Sequence, residues 1–137
     1  MKLFLFTDGG SRGNPGPAAS GVVIKNEKNE TLCSFGEFLG QQTNNFAEYT
    51  AIISGLKKCL ELGATEVVCK TDSKLVVEQL NQNWKVKHPD MQKLFVEAYN
   101  LIQKFKKVEI KHVYREDNKE ADAQVNNCLD SHYNNTK

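Results

Sequence analysis

Near the start of the chain, Leu3-Phe4-Leu5-Phe6 runs apolar without alternation and stops at Thr7-Asp8. A strand with one wet face alternates apolar and polar residues, so an unbroken run reads as a strand covered on both faces, which directs the chain toward an α/β fold. A second run, Glu66 to Thr71, ends in the same way at Asp72. Ligands of open α/β sheets bind beyond the carboxyl ends of the strands. Both aspartates therefore stand where chemistry is expected.

The remaining pattern completes this architecture. The segment from Gly9 to Gly21 holds five of the nine glycines and reads as a loop, followed by strands at about Val22 to Lys25 and Leu32 to Leu39 around a polar turn, Asn26 to Glu30. From Asn45 to Leu62 the period becomes helical, with Tyr49, Ile52, Ile53, Leu56, Cys59 and Leu60 on one face and Gly63 as the stop. Further helices are expected from Ser73 to Leu80, from Pro89 along a stripe reaching Phe105, and from Lys119 to about Asp130, the last with Asp117 and Glu120 set for a capping box. A fifth strand falls at Val108 to Tyr114. The order is βββαβααβα around a five-stranded mixed sheet, in one domain over residues 1–130 with a frayed polar tail over 131–137.

Eighteen basic against seventeen acidic residues leave +1, so bulk charge announces neither nucleic acid nor membrane. Only Arg12 and Arg115 are arginines, and both sit in loop-like stretches. The four cysteines form no CxxC pair and lie in apolar runs, which reads as buried free thiols in a reduced, cytoplasmic protein. The apolar run at the start is too short for a signal peptide or membrane span.

Two helix carboxylates sit badly. Glu48 lies four residues before Ile52 and eight before Leu56, on the face its helix must bury, and Asp122 stands at the edge of a stripe formed by Ala121, Val125 and Leu129. A buried carboxylate must be protonated, paired or bound to a cation. If these two converge with Asp8 and Asp72, no arginine or histidine adjoins Asp8, Glu48 or Asp72 in sequence to offset them. Hard oxygen donors of this kind suit magnesium or manganese. Each acid taken singly would also serve as a helix cap or a lysine's partner. The glycine segment Gly9-Gly10-Ser11-Arg12-Gly13-Asn14-Pro15-Gly16 matches neither the Walker pattern nor GxGxxG, but its backbone would admit a phosphate or ribose close to Asp8. Thr43-Asn44-Asn45 adds hydrogen-bonding groups before Glu48, where Asn44 or Asn45 would also serve as a helix cap.

TDGGSRGNPGPAASG with Asp8, TNNFAEYTAI with Glu48, KTDSKLVVEQL with Asp72 and HVYREDNKEADAQVN with Asp122 together resemble type 1 ribonuclease H, in the family's order from about residue 2 to 130. The resemblance implies the ribonuclease H-like fold and endonucleolytic cleavage of the RNA strand of an RNA–DNA hybrid, giving 5′-phosphate and 3′-hydroxyl ends. It implies two magnesium ions, replaceable by manganese, on Asp8, Glu48, Asp72 and Asp122, with Asp8 bridging, Asp122 on the side of the attacking water, and Glu48 with Asp72 on the leaving-group side. It further implies that Gly9, Gly10, Ser11, Arg12, Gly13, Asn14, Thr43, Asn44, Asn45 and Lys74 contact substrate, the asparagines reading ribose 2′-hydroxyls.

Two departures from the family's pattern stand out. Where many members carry a histidine before the last helix, this chain reads Tyr114-Arg115-Glu116-Asp117-Asn118, and Arg115 is the candidate, as in the archaeal-type subgroup. Its role would be charge stabilisation or product release, since arginine holds its proton. His112 falls within the preceding strand. The link from Leu80 to Pro89 has no room for the basic handle of some relatives, leaving Trp84-Lys85-Val86-Lys87-His88 as a basic and aromatic remnant, with Trp84 either on a DNA sugar or in the core. Lys104, Lys106, Lys107 and Lys111 read as solvated surface. The partner class is the hybrid, with double-stranded RNA left open, no membrane, no obligate protein partner, and a monomer. The competing function is a catalytically silent hybrid- or double-stranded-RNA-binding module of the same fold. Outside the four acids, eighteen basic residues face thirteen acidic ones, so the rest of the chain carries +5.

Overall fold

The computed structural model describes residues 1–135. Strands β1 (Lys2–Ser11), β2 (Gly16–Lys25) and β3 (Thr31–Gln42) form an antiparallel meander, followed by α1 (Asn44–Glu61), β4 (Glu66–Thr71), α2 (Lys74–Leu80), α3 (Pro89–Ile102), β5 (Lys107–His112) and α4 (Lys119–Asn135). The sheet order is β3-β2-β1-β4-β5, with β4 parallel to β1 and β5 parallel to β4. This is the expected mixed five-stranded sheet. Among the described residues no helix is long and apolar enough to cross a membrane.

The main core lies on one face of the sheet. Leu3, Leu5, Val22, Ile24, Val67 and Cys69 point into it from the strands, and Tyr49, Ile52, Leu56 and Cys59 meet them from α1, all fully or almost fully buried. The other face is covered over β2, β3 and β1 by α4, through Val125 and Leu129 against Ala19. β1 is therefore not covered by helices along its whole length. Phe4 and Phe6 stay half-buried, with Lys2, Lys25 and Lys70 ammonium groups 5.3–5.7 Å from their rings. Lysine stems and cation–π contact supply part of the cover that the sequence pattern called for on both faces.

Several other details differ from expectation, among them the ends of β3, which runs on to Gln42, and of β5, which stops at His112 rather than Tyr114. The Gly9 to Gly21 stretch is a hairpin, not a loop: β1 runs through Ser11 and β2 starts at Gly16. The helical stripe reaching Phe105 outlasts α3, which ends at Ile102. Asp117 and Glu120 form no capping box, because Asp117 closes a single 3-10 turn (Arg115–Asp117) and the residue before α4 is Asn118. The Asn118 side chain turns inward instead, donating from Nδ2 to the Thr7 carbonyl at 2.8 Å. Finally, α4 continues to Asn135, so most of the expected tail belongs to its last turns, while residues 136 and 137 lie outside the described residues.

All four cysteines are free, as expected. Only Cys59 and Cys69 are buried, and burial pushes each thiol up to about 12, whereas Cys33 and Cys128 are half-buried.

Candidate active site

The register of the sheet opens the cleft. β4 pairs with β1 only as far as Thr7↔Thr71, whereas β1 continues for four residues against β2. Beyond Thr7 one edge of β1 is therefore unpaired, beside the end of β4. Asp8 is the first residue past that point, and Asp72 is the first past the end of β4.

Three glycines decide which helix residues reach this opening. A Cβ on Gly9 would collide with the backbone of Ala47, so α1 rests its first turns directly on strand backbone and Glu48 arrives beside it. A Cβ on Gly21 would collide with the Ala121 carbonyl, and one on Gly36 would lie 2.7 Å from the Gln124 carbonyl. The first turns of α4 thus press on β2 and β3, and Asp122 comes to Asp8 from the opposite face. Gly9 serves as a seat for a helix here and also lines the cleft beside Asp8.

The four carboxylates line one cleft of about 550 Å³, with Gly10, Ser11, Arg12, Asn44, Asn45, Lys74 and Arg115 on its walls. Asp8 is buried, 8% exposed. Burial raises its carboxyl from 3.8 to about 8, with further pushes from the Asp72 charge and from the hydrogen bond and charge of Asp122, against a weaker pull from the Gly9 N–H. Burial raises Glu48 to about 7, offset by a hydrogen bond from the Ser73 hydroxyl and aided by the Asp72 charge. Asp72 is thus the electrostatic neighbour of both.

Two supporting residues escaped the sequence reading. Ser73 bonds Glu48 and also caps α2 by accepting from the Val76 N–H at 3.3 Å, a role that Thr-Asp-Ser at a strand end signals. Asn126 Nδ2 donates to Asp122 Oδ2 at 3.2 Å, one helical turn on. The Arg115 guanidinium lies 3.9 Å from Asp122, mostly exposed, whereas His112 is exposed at the end of β5, its ring edge-on to Tyr114 and outside the cleft lining.

Several expected substrate contacts are also internal ties. Asn44 Oδ1 accepts from the Ser11 N–H at 2.8 Å and the Ser11 hydroxyl at 3.0 Å, and its own N–H donates to Asn14 Oδ1 at 3.0 Å, locking the hairpin tip to α1. Thr43, not either asparagine, caps α1 by accepting from the Phe46 N–H at 3.2 Å. Asn14 and Thr43 line a neighbouring cavity with Asn45, His88 and Met91 rather than the carboxylate cleft, whose lining also excludes Gly13 at the hairpin turn. Arg12 pairs with Asp130 at 2.7 Å and lies 5.3 Å from the Tyr133 ring. Trp84 is 46% exposed, outside the core, with Lys74 Nζ 6.0 Å from its ring.

A family described as reverse transcriptase-like matches residues 6–128. The crystal structure of RNase H1 from Halobacterium salinarum superposes with a TM-score of 0.93 at 37% identity, covering 96% of this chain and 99% of that one. The chain belongs to the ribonuclease H family. The ribonuclease H domain at the N-terminus of a Mycobacterium tuberculosis protein gives a TM-score of 0.90 at 44% identity, over 93% of this chain and 98% of that one. LC11-RNase H1, solved in complex with an RNA/DNA hybrid, gives 0.91 at 37% identity, over 96% and 99%. In sequence, the bifunctional protein of M. tuberculosis is 46% identical over 96% of this chain, which spans only 36% of its length.

Among the described residues, no three acidic, histidine or cysteine side chains are disposed to enclose one ion. The cleft still fits divalent ions: it gathers four carboxylates, one of them buried among the charges of two others, and leaves room for the rest of an ion's shell to come from water and substrate.

Proposed function

We propose that the chain is an endoribonuclease that hydrolyses the RNA strand of RNA–DNA hybrids, leaving 5′-phosphate and 3′-hydroxyl ends. The observation that carries this reading is the convergence of Asp8, Glu48, Asp72 and Asp122, from four separate parts of the chain, on one open cleft where burial and the charges of Asp72 and Asp122 oppose the ionisation of Asp8. The likeness to LC11-RNase H1, solved with a hybrid, supports the substrate class.

Two divalent ions, magnesium with manganese as substitute, would supply when bound a more acidic attacking water and positive charge at the leaving oxygen. Asp8, between the other acids, would give up its proton and serve both sites; Asp122 would hold the side from which water attacks, and Glu48 with Asp72 the side of the departing 3′-oxygen. Ser73 keeps Glu48 oriented through its hydroxyl, and Asn126 does the same for Asp122. Arg115 brings a guanidinium that stays charged to the edge of the cleft, where it stabilises the phosphate or helps the product leave. Arg12, Lys74 and the asparagines would grip backbone and ribose, Asn44 through its side-chain NH2 because its Oδ1 is already taken by Ser11 and its backbone N–H by Asn14. The four free thiols suit the cytoplasm, and we take the enzyme to act there as a monomer.

The test is cleavage of end-labelled hybrid, double-stranded RNA and duplex DNA with magnesium or with EDTA. Magnesium-dependent cutting of the hybrid is expected, with slower cutting of double-stranded RNA and none of DNA. Tight hybrid binding without turnover in magnesium would refute the enzyme and favour a silent binding module.

A further inference from the structure

The stretch between α2 and α3 has no regular structure, and its residues Trp84, Lys85, Lys87 and His88 are exposed. It is nevertheless tied to both helices. Two side-chain amides, one from each flanking helix, donate to consecutive carbonyls: Gln79 Nε2 to Lys85 at 3.4 Å and Gln92 Nε2 to Val86 at 2.8 Å. Gln92 is exposed, but Gln79 is buried, 7% exposed, and its Oε1 accepts the Tyr49 hydroxyl at 2.6 Å. Tyr49 is fully buried and follows Glu48 on α1. That donor leaves Gln79 Nε2 as the group facing the segment.

The surface repeats this connection. Asn45 and Leu75 line both the carboxylate cleft and a smaller cavity of about 250 Å³, which Gln79, Lys85 and Val86 share with a wider groove of about 780 Å³ beside Trp84. A track therefore runs from the carboxylates to Trp84, and Gln79 lies along it. A duplex whose RNA strand enters the cleft carries its DNA strand at a fixed spacing, so the segment is useful only at a set distance from Glu48.

We propose that Gln79, oriented by Tyr49, is a positioning residue that fixes the Trp84–Lys87 segment relative to the carboxylate cleft, so that this segment receives the DNA strand of the hybrid. The inference rests on the hybrid reading above for its ligand, but not for the internal contact. A buried amide with a donor and an acceptor partner has a restricted set of replacements. Gln79→Glu keeps the length and the acceptor for Tyr49 while placing oxygen against the Lys85 carbonyl; Tyr49→Phe keeps the ring and removes the orienting donor.

Trp84 is the sole tryptophan, so its emission reports the segment directly. Acrylamide quenching of Trp84 in free Gln79→Glu should rise at least about twofold, as the carbonyl tie is lost. The dissociation constant for hybrid measured in EDTA, and KM in magnesium, should rise about 5–10-fold with kcat within about twofold, because binding must then order the segment. Tyr49→Phe should move the same quantities in the same direction by less. Unchanged quenching and KM in a Gln79→Glu protein with wild-type circular dichroism would overturn the proposal, as would a fall in kcat at constant KM. Should Gln79→Glu not fold, Tyr49→Phe decides by the same readings. A wild type that neither binds nor cuts hybrid refutes the hybrid reading, while the quenching arm still decides whether Gln79 holds the segment.

Discussion

Asp8→Asn keeps the size of the side chain and removes the one group whose ionisation the cleft most opposes. Burial, the Asp72 charge and the Asp122 contact together carry the Asp8 carboxyl from 3.8 to about 8. The unfolded chain restores ordinary acidity, so the folded protein binds the extra proton. That difference costs about 1.4 kcal/mol of stability for each pH unit above the ordinary value, roughly 4 kcal/mol at pH 7. This share of stability is intact below about pH 4 and is lost as pH rises through about 8, with Glu48 adding a similar loss between 4.5 and about 7. Asparagine escapes the Asp8 share, and the metal-free variant should be more stable than wild type by about 2–4 kcal/mol at pH 7. Urea denaturation in EDTA at about pH 5.5 and 8 tests it: wild type should lose roughly 3 kcal/mol through Asp8 alone and the variant only the Glu48 share. The same substitution should abolish cleavage. A variant no more stable than wild type at pH 8, or a wild type whose stability ignores pH over this range, would refute the crowding of charge at Asp8.

Other perturbations separate the remaining roles. Gly21→Ala should destabilise by more than about 2 kcal/mol and depress activity, because its methyl meets the Ala121 carbonyl; denaturation midpoints check this. Arg115→Ala should lower kcat more than His112→Ala does, since only Arg115 reaches the cleft, and steady-state kinetics on hybrid ranks the two. Arg12→Ala should change stability by less than about 1 kcal/mol, as its Asp130 pair is exposed, while raising KM with a salt dependence that the wild type exceeds. Titration with magnesium should raise the melting temperature of wild type and leave that of Asp8→Asn nearly unmoved.

The carboxylates were legible in the sequence because each broke a local rule: Asp8 and Asp72 closed apolar strands, and Glu48 and Asp122 stood on faces that helices bury. Element order followed from periodicity alone, which needs no tertiary information. The glycines were misread because composition cannot distinguish a glycine that turns the chain from one that admits a neighbouring helix. Gly9 and Gly21 are strand residues whose missing side chains are explained only by α1 and α4, elements far away in sequence. The cover over Phe4 and Phe6 was hidden for a related reason: lysine reads as polar in a pattern, although its stem is apolar. Gln79 and Asn118 gave no signal, since a single amide becomes informative only when it is found buried with its partners.

Seating α1 and α4 on bare strand backbone leaves no layer of side chains between them and the sheet at these points. The distance from Asp8 to Glu48, and from Asp8 to Asp122, is therefore set by hydrogen-bonded backbone on one side and helix backbone on the other, both much stiffer than packed rotamers. The hydrophobic core runs on from these seats along each helix, from Tyr49 through Ile52 and Leu56 in α1 and from Val125 through Leu129 in α4. Mechanically the site hangs from this rigid frame, with Tyr49, Val125 and Leu129 as the nearest filling. Volume changes at Ile52 or Leu56, further along α1, are thus absorbed as altered melting temperature before they reach the carboxylates, and the chain is free to retune its stability there while its chemistry stays as it was.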